Sequence, residues 1–207
     1  MKMTEYKRLD IQQHKVVFIF VTAFLALLVA SPVLEKALVY PQTESFTELW
    51  LLGTQHGAEN YPHNAAKNDN YGVFLGVTNH LGSCAYYVVE VKFRNQTQSA
   101  PDSFNRTPSS LASLYNANVF LADNASWELP ITFSFDYSYD SIASSVYFSR
   151  LQFNDVALSL NGYSTSWDPD RKGFFGDLVF ELWLYNSTIG SFQYHERYVD
   201  LKLNFQV

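Results

Sequence analysis

Strict alternation of apolar and polar residues is the feature of this sequence that most limits its fold. From Leu129 to Tyr139, every second side chain is large and apolar, and the residues between them are polar or proline. Val199–Val207 repeats this pattern at the C-terminus. Successive side chains of a β-strand point to opposite faces of a sheet, so the period predicts strands with one buried and one solvated face.

Seven further segments are predicted to be strands, which makes about nine in all. Turn residues separate them: Asn154-Asp155 suits a tight hairpin, and Asn186–Gly190 and Asp168–Gly173 mark other turns. With almost no helix to cover these strands, two sheets must cover each other's apolar faces. We therefore predict an all-β fold, an antiparallel β-sandwich, with a closed barrel as the alternative. The seven segments are residues 46–52, 71–79, 85–93, 116–121, 145–153, 156–160 and 178–185.

A separate feature is an uncharged apolar run from Val16 to Leu34. Nineteen helical residues rise by about 1.5 Å each and span about 28 Å, close to the roughly 30 Å hydrocarbon core of a bilayer. We predict a retained transmembrane helix over residues 16–34. A cleaved signal peptide is the alternative, but cutting after Ala30 would place Leu28 where a small residue is expected.

Charge orients the chain relative to the predicted membrane. The first 15 residues carry a net charge of +2 and the whole chain −6, so the remaining residues carry −8. The basic flank predicts a single-pass protein of the cell membrane with a cytoplasmic tail at 1–15 and an extracellular C-terminal part. That part comprises a stalk at 35–45 and a domain at 46–207 with a long loop at 95–115. Its acidity argues against nucleic acid as a partner.

Four Asn-x-Ser/Thr sequons lie beyond the apolar run, in polar stretches that read as loops. This placement agrees with export and makes their asparagines candidates for N-glycosylation. The candidates are Asn95, Asn105, Asn124 and Asn186.

No residue pattern in the chain points to catalysis. There is no Gly-x-Ser-x-Gly element and no glycine-rich phosphate loop. The single cysteine, Cys84, precludes an intramolecular disulfide and is expected to be a small buried side chain. His56, His63 and His80 match no compact metal motif, although a metal-dependent surface enzyme that uses them stays open as a third reading. We predict no catalytic residue, no metal site, no cofactor and no enzyme activity.

Aromatic residues near loops are the remaining candidates for ligand binding. Trp127, Tyr163 and Trp167 fall near predicted loops, where exposed rings could stack on sugars or anchor a protein. A carbohydrate-binding module is therefore the alternative function. Trp50 and Trp183 lie within predicted strands and are expected in the core.

Six short segments, read in order, resemble one known family. They are Phe46–Gly53, Ala58–Pro62, Leu75–His80, Tyr87–Val91, Phe180–Tyr185 and His195–Leu201. This order resembles the ectodomain of archaeal membrane proteins called the domain of unknown function 1616 family, over about residues 46–94 and 174–207. The resemblance implies an Ig-like or fibronectin-like sandwich outside an archaeal membrane and implies no activity. Members commonly have several transmembrane helices, whereas one is predicted here.

Together these features predict a membrane-anchored glycoprotein of the cell surface. Its predicted role is a non-catalytic interaction or structural module of the cell envelope. The predicted partners are the membrane, through the N-terminal helix, and other envelope proteins or glycans.

Overall fold

The computed structural model describes residues 15–37 and 44–207. It separates into two compact units, one before Ser45 and one from Ser45 to Val207. The predicted cytoplasmic tail, apart from Lys15, and residues 38–43 of the predicted stalk lie outside the described residues.

The first unit holds one helix, α1 (Lys15–Ala37). Its side chains are described for residues 15–29, and every large apolar side chain among them is more than half exposed. Within the described part of the chain, no helix combines the length and the apolar character needed to cross a membrane.

The second unit consists of two packed sheets. Neighbouring strands are antiparallel except for β2 and β11, which are parallel. The first sheet has the order β1 (Phe46–Leu52), β3 (Tyr71–His80), β6 (Ser126–Asp140), β7 (Ser145–Phe153) and β8 (Val156–Ser159), with β9 (Ser164–Ser166) also on β7. The second has the order β2 (Asn64–Ala65), β11 (Ser191–Phe205), β10 (Phe175–Asn186), β4 (Ala85–Asn95) and β5 (Tyr115–Leu121).

Phenylalanine rings from both sheets fill the core between them. The ring centroid of Phe148 lies 4.6 Å from that of Phe205 and 4.8 Å from that of Phe93, in edge-to-face geometry. Phe135 joins the same cluster at 5.1 Å from Phe205. Burying each such side chain contributes about 2 to 3 kcal/mol to folding. The predicted β-sandwich is therefore confirmed.

The alternation in β6 is borne out in its middle. Ile131, Phe133, Phe135 and Tyr137 are buried, and the residues between them are not. Every predicted strand is present, and the predicted hairpin at Asn154 closes β7 onto β8. The strands β2 and β9 were not predicted, because two or three residues are too short to show a period.

Three side chains lie where the sequence does not predict them. Cys84 is exposed rather than buried, because it ends the turn before β4. Trp50 lies opposite Gly76 on the outer face of the first sheet, where the glycine leaves room for the indole ring. Trp183 lies on the outer face of the second sheet, since its neighbour Leu182 points into the core. Neither tryptophan belongs to the core.

Candidate functional site

Four aromatic side chains occupy neighbouring register positions across the second sheet. Phe120 on β5 lies opposite Tyr86 on β4, and Tyr185 on β10 lies opposite Phe192 on β11. The ring centroids of Tyr86 and Tyr185 are 6.2 Å apart, those of Tyr185 and Phe192 are 5.3 Å apart, and those of Tyr86 and Phe192 are 5.1 Å apart, so these three rings form a compact cluster. We call these four residues the aromatic row.

The aromatic row faces solvent. The neighbouring residues Tyr87, Val119 and Leu184 point the other way, toward the core, because side chains alternate along each strand. Phe120 is 67% exposed, Tyr185 40% and Tyr86 38%. Adjacent exposed rings of this kind make the aromatic row a candidate contact surface.

Two polar groups without partners lie beside the aromatic row. Trp183 and Tyr194 are opposite each other, two residues along β10 and β11 from Tyr185 and Phe192. Among the described residues, the Trp183 Nε1 and the Tyr194 hydroxyl are buried without a hydrogen bond. Ser103 approaches the Tyr194 hydroxyl without normal hydrogen-bond geometry. The pKa of Tyr194 is raised to about 12, and burial is the largest cause. Buried donors of this kind usually have a partner.

Beyond this pair, the same face carries buried charges under the connection from β4 to β5. Lys92 Nζ lies 2.7 Å from Glu181 Oε2 and 3.0 Å from Glu90 Oε2. The backbone N–H of Ser109, in the connection, donates to Glu181 Oε1 at 3.0 Å. The charged cluster therefore holds residues 96–114 against the sheet.

A second ion pair anchors the start of the same connection. The Arg94 guanidinium is paired with the Asp177 carboxylate on the neighbouring strand. Arg94 Nη1 also donates to the backbone oxygen of Gln98 at 2.9 Å. Both partners of the ion pair are largely buried.

A cleft lies where β11 bulges. His195 and Glu196 are extra residues between the pairs Leu182–Arg197 and Trp183–Tyr194, and Glu196 has a positive φ of 58°. The cleft has a volume of about 430 Å³ and is polar. Its lining comprises Ser45, Phe46, Thr47, Ser103, His195, Glu196 and Arg197.

A hydrogen-bonded chain leads from this cleft into the core. His195 Nε2 lies 2.9 Å from Thr47 Oγ1, which lies 3.0 Å from the Tyr87 hydroxyl. Tyr87 donates in turn to Asn79 Oδ1 at 3.0 Å. Because Tyr87 donates to Asn79, the consistent direction has Thr47 donating to Tyr87 and His195 donating to Thr47. Burial is the main cause that lowers the pKa of His195, and the Arg197 charge lowers it further while Glu196 opposes both.

These four residues come from segments that carry the family resemblance in the sequence. Asn79 also donates through Nδ2 to the backbone oxygens of Ser83, Leu121 and Ala122. It thereby joins the turn between β3 and β4 to the end of β5. This hydrogen-bonded series has a structural role, because the hydroxyl groups of Thr47 and Tyr87 are held between internal partners.

The aromatic residues predicted as ligand contacts do not come together. Trp127 lies near the start of β6, whereas Trp167 directly follows β9, which lies near the end of β6. At about 3.3 Å per residue, the length of β6 separates the two tryptophans by roughly 40 Å. Trp127 and Tyr163 pack partly against the core. Trp167 is 47% exposed and its ring lies 5.2 Å from that of Phe174.

The predicted glycosylation asparagines differ in exposure. Asn105 and Asn124 are exposed, whereas Asn95 and Asn186 are half-buried. The Asn95 side chain donates to the Ser164 backbone oxygen at 2.9 Å, which occupies the nitrogen that a glycan would use. The side-chain nitrogens of Asn105 and Asn124 also donate, each to a nearby aspartate, so greater exposure is what distinguishes these two candidates.

The histidines considered for a metal have separate partners. His56 Nε2 lies 3.2 Å from Glu128 Oε1, and His80 Nδ1 lies 2.9 Å from Asn124 Oδ1. His63 lies near Phe175 instead. Across residues 15–37 and 44–207, no three His, Cys, Asp or Glu side chains are grouped so that they could hold a metal ion.

The sequence contained an unused signal for the aromatic row. Phe120, Tyr86 and Tyr185 occupy positions of their strands that alternate with core positions, where polar residues are expected. Large rings at such positions indicate a contact surface. Their placement next to each other depends on the register of three strand pairs, which the sequence pattern does not contain.

Solved structures similar to this one are distant. A beta-glucosidase from Listeria innocua in complex with glucose matches at a TM-score of 0.37 and 11% identity, over 81% of this chain and 17% of that one. The PapD-like domain 7 of human CEP192 matches at 0.32 and 11%, over 82% and 92%. A family 123 glycoside hydrolase from Clostridium perfringens matches at 0.32 and 8%, over 78% and 27%. TM-scores this low carry no argument about function.

Comparison with protein families is more informative. No curated protein matches the chain. A family match covers residues 41–147, more than half of the 207 residues. It includes the stretch from 95 to 147, which the sequence resemblance omitted, and ends before 174–207, which the resemblance included. The chain belongs to the family described as Domain of unknown function (DUF1616).

Proposed function

We propose that this chain is a membrane-tethered, non-catalytic binding module of the cell envelope, and that the aromatic row is its contact surface. The observation that carries the proposal is the clustering of Tyr86, Tyr185 and Phe192, with Phe120 opposite Tyr86, on an exposed sheet face. Tyrosine, together with tryptophan and arginine, is enriched among the few residues that contribute most of the energy at binding surfaces.

The fold supports a binding role of this kind. The strands β1, β3 and β6 of one sheet oppose β5, β4, β10 and β11 of the other. When the two-residue strand β2 is left out of the count, β1, β3 and β6 are the first, second and fifth strands of the domain. The first, second and fifth strands also share a sheet in Ig-like and fibronectin-like sandwiches, so this arrangement fits that fold. In such sandwiches, the chemistry of a particular surface decides the function.

The membrane tether rests on the sequence of Val16–Leu34. The fifteen residues of α1 with described side chains would span only about 22 Å, and the uncharged run continues for five residues beyond them. The exposure of the described apolar side chains supports a lipid environment. The basic N-terminal flank then favours a cytoplasmic N-terminus and an extracellular β unit. The archaeal cell in this proposal rests on the family resemblance of the sequence alone.

A carbohydrate chain is the second candidate, as the ligand of the same surface. Sugar rings have apolar faces that stack on aromatic rings and hydroxyl groups that need hydrogen-bond partners. Tyr86 and Tyr185 are 38% and 40% exposed, and each places a hydroxyl group that donates and accepts hydrogen bonds beside the rings of the aromatic row. This juxtaposition favours a glycan over a purely apolar ligand.

The binding proposal is tested with residues 45–207, which contain their own core. We expect this fragment to bind isolated envelope polysaccharides or a glycan panel, and Tyr86→Ala and Phe120→Ala to weaken binding at least tenfold. Trp127→Ala and Trp167→Ala are matched controls that should retain binding. Equal losses in all four variants, or binding that none of them changes, would reject the aromatic row as the contact surface.

Location and lack of catalysis need their own tests. Cell fractionation with protease treatment of intact cells should recover the full chain in membranes, with the β unit accessible from outside. Recovery of the intact protein in the cytosol would end the tether proposal. Turnover by the purified protein in a broad hydrolase panel would end the non-catalytic one.

A further inference from the structure

A lysine and a glutamate are buried against each other outside the aromatic row. Lys92 on β4 and Glu181 on β10 are 2% and 0% exposed, and Lys92 Nζ lies 2.7 Å from Glu181 Oε2. The two residues are diagonal neighbours on paired strands. Neither takes part in the proposed ligand contact, so this site is independent of the proposed function.

The surroundings of the pair suit a reaction between the two groups. Glu90 Oε2 lies 3.0 Å from Lys92 Nζ, where it can accept a proton from the amine. The backbone N–H and the hydroxyl of Ser109 both donate to Glu181 Oε1. Two donors on one oxygen stabilise the negative charge that develops there when a nucleophile attacks the carboxyl carbon.

The pair is also held in place and shielded. The Trp183 ring lies 5.6 Å from Lys92 Nζ, and residues 96–114 cover the cluster. Two groups fixed at contact distance react far faster than the same groups free in solution. Exclusion of water strengthens the electrostatic effects at the site.

From this geometry we infer that Lys92 and Glu181 form an intramolecular isopeptide bond. A proton first passes from Lys92 Nζ to Glu181 Oε2, 2.7 Å away, and the resulting amine attacks the Glu181 carboxyl carbon. Glu90 takes a proton from Nζ and passes it to the departing hydroxyl group. A C–N bond forms, a C–O bond breaks and one water molecule leaves, with no change of oxidation state and no cofactor.

The product would be a covalent link between the two central strands of the second sheet. A chain with one cysteine has no intramolecular disulfide to serve this purpose. A crosslink present in the folded state also limits the unfolded chain and raises stability.

Mass spectrometry of the full chain, produced in a host without N-glycosylation, tests the inference. We expect an intact mass below the sequence mass by one water molecule, and a branched peptide that joins Lys92 to Glu181. Lys92→Arg and Glu90→Gln should each have their full sequence mass. Lys67→Arg, at an exposed ion pair with Asp136, is the matched control and should keep the crosslink. A wild-type chain with its full sequence mass would overturn the inference, as would a crosslink that survives Lys92→Arg.

Discussion

The Tyr87 hydroxyl donates a hydrogen bond to Oδ1 of Asn79 at 3.0 Å, and both side chains are buried between the sheets. Because Asn79 lies on β3 of the first sheet and Tyr87 on β4 of the second, this bond joins the two sheets. Tyr87 also contacts Thr47 on β1. The turns at this end of the sandwich therefore depend on one polar network that excludes solvent. Such networks define a unique packing when all members have partners.

Replacing Asn79 should be costly. Asn79→Ala removes the donor to three backbone oxygens and the acceptor of the buried Tyr87 hydroxyl. We expect the free energy of unfolding to fall by about 3 kcal/mol, because the Tyr87 hydroxyl and the Leu121 oxygen are left buried without this partner. Tyr87→Phe should cost about 1 kcal/mol, since one hydroxyl is lost. Urea unfolding of residues 45–207 measures both. Asn118→Ala, at an exposed position of β5, should change little, and an equal loss there would argue against the network.

His195 should make stability depend on pH. Burial lowers its pKa below the ordinary 6.5, so the folded state binds a proton less readily than the unfolded chain. This contribution to stability is complete above pH 6.5 and is lost as the pH falls from there toward the folded pKa. Unfolding curves across this window should show the loss, and His195→Gln should reduce it. An unchanged pH profile in His195→Gln would contradict the assignment.

The ion pair between Arg94 and Asp177 should matter more than a surface pair on the same sheet. Asp177→Ala leaves the largely buried guanidinium without its carboxylate, and we expect a loss of about 3 kcal/mol. Asp200→Ala removes the partner of Lys202, 3.8 Å away and exposed, and should cost less than about 1 kcal/mol. Amide hydrogen exchange should also become faster at residues 96–114 in Asp177→Ala only, because Arg94 bonds to Gln98.

Gly76 should resist substitution because of Trp50. A β-carbon on Gly76 would occupy the space of the indole ring, so Gly76→Ala should lower the free energy of unfolding by about 1 to 3 kcal/mol. Combining it with Trp50→Ala removes the clash. The double variant should then be more stable than the sum of the single effects predicts, as thermal or urea unfolding would show. Simple additivity would mean that the ring moves aside without cost.

The accuracy with which the sequence predicts a strand depends on the length of its alternating pattern. Leu129–Tyr139 predicts a strand and its buried face correctly for Ile131 through Tyr137, because six alternating residues leave one arrangement. The first half of β11 was missed, since the bulge at His195–Glu196 interrupts its alternation. Cys84 was misplaced because composition predicts the average burial of a residue type and not the position of one turn.

The sequence by itself determined the all-β class, the boundaries of most strands and the apolar segment before them. These properties follow from contacts between near neighbours along the chain, where side-chain period and turn chemistry decide. Only the tertiary structure decided that Phe120, Tyr86, Tyr185 and Phe192 lie together on one face, and that Lys92 meets Glu181. Both results depend on the register between strands distant in sequence, and register is determined by the joint packing of both sheets.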